Sequence, residues 1–192
     1  RNVYLFKKFF LLLTFSVIST ICFAQLTEEW VRRFDETRND YHSAVAMDVD
    51  AAGNVYITGV RNSGFFADFA TIKYDAAGNL IWVRYYNGPE NGFDESKDIK
   101  VDLNGNVIVT GISANRDGGL DAYDYATVKY DANGNLIWVQ RYDGPANRWD
   151  EPRAIAIDAT GNIYVTGWSA SGDYMDDFSI MDYATTKYEE RG

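Results

Sequence analysis

KYDANGNLIWVQRYDGP, Lys129 to Pro145, has a near copy upstream, KYDAAGNLIWVRYYNGP, from Lys73 to Pro89. A third copy begins as Lys187-Tyr188-Glu189-Glu190-Arg191-Gly192. Aligned on Trp30, Trp82 and Trp138, the unit is 52 residues long, then 56. Twenty residues after each Trp stands Asp50, Asp102 or Asp158, and nine further on a glycine (Gly59, Gly111, Gly167) closes VYITG, VIVTG or IYVTG. The register holds from Trp to Gly, and all length variation falls between that Gly and Asp68, Asp124 or Asp182. A segment that alone changes length within a fixed frame is a surface loop. A period of this size signals a repeat architecture.

Asp-x-x-Gly-Asn is written five times, from Asp50, Asp75, Asp102, Asp131 and Asp158. Each copy separates two runs rich in β-branched and aromatic residues. Asp opens such a turn by accepting backbone N–H bonds, and Gly supplies a positive φ, so these are hairpins. Asp48-Val49-Asp50 starts like an EF-hand loop, but the fifth position is Ala52 and the twelfth is Gly59, which removes two required ligands. Each unit then reads as four short strands; in the middle unit they are Asp98–Asp102, Asn106–Ser113, Tyr125–Tyr130 and Asn135–Tyr142. Four strands per unit is the signature of a propeller blade. Runs such as Leu136-Ile137-Trp138-Val139 are apolar on both faces, as expected where a blade is packed by neighbours on either side. A β-solenoid would repeat at a shorter period. The predicted fold is all-β, a partial β-propeller of about three four-stranded antiparallel blades.

The pattern D-x-x-G-N-[VI]-Y-[VI]-T-G, then D-[FY]-A-T-x-K-Y-D-A-x-G-N-L-I-W, resembles the SBBP beta-propeller repeat of secreted bacterial proteins and covers nearly all of residues 26–192. The resemblance implies a propeller fold and an extracellular setting. It implies no catalytic residues, so none are carried over. Asp75 to Trp82 is also similar to the tryptophan-docking repeat of quinoprotein dehydrogenases, with an Asp–Gly spacing one residue shorter.

Within the chain, residues 26–34 read as the last strand of a blade, 44–87 and 96–143 as whole blades, and 153–188 as an incomplete one. The N-terminal strand is what the last unit lacks. Three blades fall short of the roughly four to eight of a propeller. The chain is therefore read as part of a longer repeat protein, with a ring shared between two chains as the alternative.

Arg1, Lys7 and Lys8 precede the apolar run Phe9–Phe23, and Cys22 and Ala24 are the small residues of a cut before Gln25. Residues 1–24 read as a secretory signal peptide; the alternative is an uncleaved anchor. The single cysteine lies inside it, which leaves no disulfide or thiol chemistry beyond. Net charge is −10, and the three basic residues of that peptide, with no acid beside them, leave −13 for the remainder. That disfavours nucleic acid and anionic membranes as partners.

Chemistry is sparse. His42 aligns with Asp94 and Asp150, so it replaces an acid rather than adding to a constellation. No Ser/His/Asp triad and no zinc-type cluster can be assembled, and no catalytic residue or cofactor is assigned. Repeated aromatics such as Tyr56, Tyr74 and Trp82, and repeated Lys73, Lys129 and Lys187, read as inter-blade packing. In an antiparallel blade the Asp-x-x-Gly-Asn turns share one end. The long variable segments share the other: 60–68, 112–124, 168–182, 35–43, 87–95 and 143–151. These six hold 17 acidic and 4 basic residues. They also carry the ligand-face candidates Tyr41, Phe93, Trp149, Trp168 and Tyr174, beside Tyr123. Asp173, Asp176 and Asp177 are the candidate Ca²⁺ contacts, since hard cations take oxygen ligands. The expected function is a secreted or cell-surface binding or scaffold module that takes a protein or glycan on this face. No membrane span is expected to remain after signal cleavage, and open blade edges favour self-association. The alternative is the propeller part of a secreted enzyme, polysaccharide-degrading or quinoprotein-like. A solvated acidic rim without a ligand is the plainest alternative.

Overall fold

The computed structural model describes residues 27–34, 41–62, 66–115, 122–171 and 181–189. The signal-peptide expectation lies outside them. Eleven strands are present among the described residues, and no helix. They are β1 (Tyr41–Val49), β2 (Val55–Asn62), β3 (Ala67–Tyr74), β4 (Leu80–Tyr86), β5 (Asp94–Val101), β6 (Val107–Ala114), β7 (Tyr123–Tyr130), β8 (Leu136–Tyr142), β9 (Asp150–Ile157), β10 (Ile163–Ala170) and β11 (Met181–Tyr188). They form three antiparallel sheets ordered β1-β2-β3-β4, β5-β6-β7-β8 and β9-β10-β11, and no sheet closes on itself. The first strand of the middle unit starts at Asp94, four residues before the sequence reading placed it.

The five hairpins follow from local chemistry. Gly53, Gly78, Gly105, Gly134 and Gly161 have φ between 78° and 87°, which a side chain would strain. At Asp158 one carboxylate oxygen accepts the N–H groups of Thr160 and Asn162 at 2.9 Å each, and the other accepts Asn162 Nδ2 at 2.7 Å. The same clasp recurs at Asp50, Asp102 and Asp131.

The sheets pack face to face. Tyr56, Phe69 and Trp82 of the first sheet meet Ile99, Val107, Val109, Val128 and Tyr130 of the second. Ile108 and Tyr125 of the second, with Trp138 and Tyr142, meet Ile155, Ile163, Val165 and Tyr188 of the third. A sheet covered on both faces buries every residue, and a sheet covered on one buries alternate residues. The middle strands β6 and β7 are buried almost end to end, whereas β10 alternates and β1 and β11 are largely open.

Three expectations are corrected. The fourth strands are not buried on both faces: a bulge at Lys73/Tyr74 and at Lys129/Tyr130 turns Leu80, Ile81, Leu136 and Ile137 outward, each about half exposed. Val55 and Ile57 are only partly buried, although their counterparts Val107, Val109, Ile163 and Val165 are fully buried. No described sheet lies against that face of the first one. Residues 27–34 form no strand and pair with no edge of the third sheet. They lie instead against the β3–β4 hairpin, where Trp30 Nε1 donates to Ala76 O at 3.2 Å and Arg32 Nε to Gly78 O at 2.6 Å.

Candidate functional site

The antiparallel order puts the uniform hairpins at one end of the sheets and the long connections at the other. At the long-loop end, the two crossovers are pinned to the tips of second strands. Ala114 N donates to Phe93 O at 3.1 Å, and Ala170 N to Trp149 O at 3.2 Å. Trp149 also bridges Tyr123 at the start of β7. This places four rings in a row. Phe93 and Tyr123 centroids lie 6.2 Å apart, Tyr123 and Trp149 5.2 Å, and Trp149 and Trp168 5.9 Å. Phe93 is 37% exposed; the other three are half-buried. The Trp149 Nε1 group is buried and has no acceptor among the described residues.

Three of the five ligand-face candidates, Phe93, Trp149 and Trp168, are thus brought together, with Tyr123 as the link. Tyr41 holds the equivalent place at the start of β1, 63% exposed and outside that row. Tyr174 and the Ca²⁺ candidates Asp173, Asp176 and Asp177 lie outside the described residues. The His42 ring stands edge-on to Phe34 at 5.3 Å, and its Nε2 is buried with no hydrogen-bond partner among the described residues.

Beside the row sit three carboxylates that the sequence did not single out together. Asp124, Asp143 and Asp150 each bring one oxygen within 4.8 Å of the others. Asp124 is already engaged: Arg141 Nη2 lies 2.9 Å from Oδ2, and Asn115 Nδ2 donates to Oδ1 at 2.8 Å. Asp150 Oδ2 accepts the Gly144 N–H at 2.7 Å, and its Oδ1 is buried with no hydrogen-bond partner among the described residues. Burial raises the Asp150 carboxyl above its ordinary range, and Asp143 and Asp124 add to that. Asp94 repeats the arrangement with the Gly88 N–H at 2.7 Å, and burial raises it too. A feature that recurs in both crossovers is first a clasp that holds the loop. Calcium takes roughly six to eight oxygens. Both Asp124 oxygens and Asp150 Oδ2 already accept protein donors, so this group alone falls short of a cation cage. Arg141 is the residue that sequence reasoning missed. Its signal was a departure from the repeat, since Tyr85 stands there in the preceding unit.

Residues 137–174 match the SBBP family, described as a beta-propeller repeat. The chain is also 31% identical over 117 residues, 55% of its length, to "Regulatory protein FlaEY" of Caulobacter vibrioides. It spans 12% of that much longer protein.

Proposed function

We propose that this run of β-propeller sheets is a secreted or cell-surface binding module, and that its ligand is a glycan seated along Phe93, Tyr123, Trp149 and Trp168. The observation that carries the reading is the four-ring row at the end where acids outnumber bases. Aromatic faces accept the apolar C–H faces of sugar rings, and a few polar groups beside them fix orientation. Asp143, exposed at the rim, supplies an acceptor for hydroxyl donors. A buried N–H without an acceptor is costly, so a ligand oxygen that reached Trp149 Nε1 would bind with that cost relieved. The likeness to a stretch of a far longer protein supports a module that works as part of a larger assembly. The reading assigns no catalysis, and His42→Ala leaves binding unchanged.

Isothermal calorimetry against a panel of soluble oligosaccharides, with and without calcium, tests this. The expected result is a glycan that binds the chain and loses about tenfold or more in affinity with Trp149→Ala, the scale of one stacked ring. Heat from no glycan, with or without calcium, contradicts it. So does binding that survives Trp149→Ala combined with Tyr123→Ala.

A further inference from the structure

Four Asn-Gly bonds occur in the chain: Asn87–Gly88, Asn91–Gly92, Asn104–Gly105 and Asn133–Gly134. Such a bond carries its own reagent. The glycine nitrogen can attack the side-chain carbonyl carbon of the asparagine before it, and no Cβ stands in the way. The nitrogen has to turn toward that carbon, so a hydrogen bond that fixes the peptide holds the reaction back.

The fold fixes three of the four. Gly88 N donates to Asp94 Oδ2 at 2.7 Å. Gly105 N donates to Asp102 O at 3.0 Å, and Gly134 N to Asp131 O at 2.9 Å. Gly92 N has no acceptor among the described residues. Asn91 is exposed, and its Oδ1 accepts Asn87 Nδ2 at 2.5 Å. That donor faces the oxygen on which negative charge develops when the carbon is attacked.

The next crossover makes the same turn without the same bond. The φ of Asn147 is 49°, against 48° for Asn91. Asn147 N donates to Gly144 O at 3.0 Å, as Asn91 N does to Gly88 O. Asparagine tolerates this left-handed backbone better than most side chains do. Arg148 follows Asn147, however, where Gly92 follows Asn91. At residue 92 a Cβ would stand 2.5 Å from Ala114 Cβ, so packing favours glycine there. Backbone conformation and packing together thus write a labile bond into the first crossover and not into the second.

We infer that Asn91 is a site of spontaneous modification, converting to aspartate and isoaspartate in the folded protein ahead of the other described asparagines. Gly92 N gives up its proton and bonds to Asn91 Cγ. The Cγ–Nδ2 bond breaks, and the amide nitrogen leaves as ammonia with that proton. Water then opens the cyclic imide. Opening at one carbonyl gives aspartate; opening at the other gives isoaspartate, whose backbone path is one methylene longer. Either product adds a negative charge to the crossover. The change falls two residues before Phe93, whose carbonyl accepts the Ala114 N–H at 3.1 Å and so seats one end of the ring row. The chemistry needs only this chain and water, and it stands whether or not a glycan binds.

Peptide mapping by mass spectrometry, on the purified chain aged in mildly alkaline buffer, tests the inference. Asn91 is expected to convert about tenfold or more faster than Asn87, Asn104 and Asn133, because their glycine nitrogens are held. In urea the fold no longer distinguishes them, so the four Asn-Gly bonds are expected to convert at comparable rates, with Asn147 behind them. Conversion of Asn104 or Asn133 as fast as Asn91 in the folded chain overturns the inference. So does an Asn91 that stays intact in the folded chain over the time in which the unfolded chain converts.

Discussion

Aspartate does two opposite jobs in this chain. Asp75, Asp131 and Asp158 hold hairpins, and the hydrogen bonds they accept, first from the Asn four residues on, pull each carboxyl below its ordinary range. Their contribution is present above the unfolded value and is lost as pH falls through the lowered one. Burial pushes Asp94 and Asp150 the other way, so their contribution is present below the unfolded value and lost as pH rises through the raised one. Melting temperature should therefore rise as pH drops from neutral toward the ordinary carboxylate range, then fall in stronger acid. Asp94→Asn with Asp150→Asn should flatten the upper arm and leave the lower. At neutral pH, Asp150→Ala strands the Gly144 N–H and should cost about 1–3 kcal/mol, whereas Asp150→Asn keeps an acceptor and should cost little. The hairpin role was legible, because Asp, Gly and Asn act within five residues of each other. The clasp role was not, because Gly144, Asp150 and Ser169 meet only after β9 and β10 have paired.

At the scale of the element, the same strand sequence acquires different burial according to its place in the stack. VYITG, VIVTG and IYVTG predict one shared environment, yet Tyr164 is half-buried where its equivalents Tyr56 and Ile108 are fully buried, and Ile57 lines an open cleft where Val109 and Val165 are fully buried. Periodicity assigns a residue to a face; it does not say whether anything covers that face. Ile108→Ala should thus cost about 2–5 kcal/mol in urea unfolding of the monomer, and Ile57→Ala clearly less. Equal costs would mean that a neighbouring sheet covers Ile57. The fourth strands were misread for a related reason. A bulge shifts the register by one residue, which turns Leu136 and Ile137 out of a run that reads as wholly buried.

At the scale of the molecule, the sheets stand as successive blades, each packing one face onto the next. The repeat period carried that order, and the long-loop end could be named from chain direction alone. The ring row could not, because Trp149 and Tyr123 meet through a crossover that returns beside β7. The central claim is that the middle sheet is sandwiched while its neighbours are covered on one face. Hydrogen exchange, read by mass spectrometry at a dilution where the chain is monomeric, tests it most directly. Amides of β6 and β7 should exchange slowest, at the rate of global unfolding, and β1 and β11 should open well before them. Equal protection across the three sheets, or the slowest exchange in β1 or β11, would contradict the stacked arrangement.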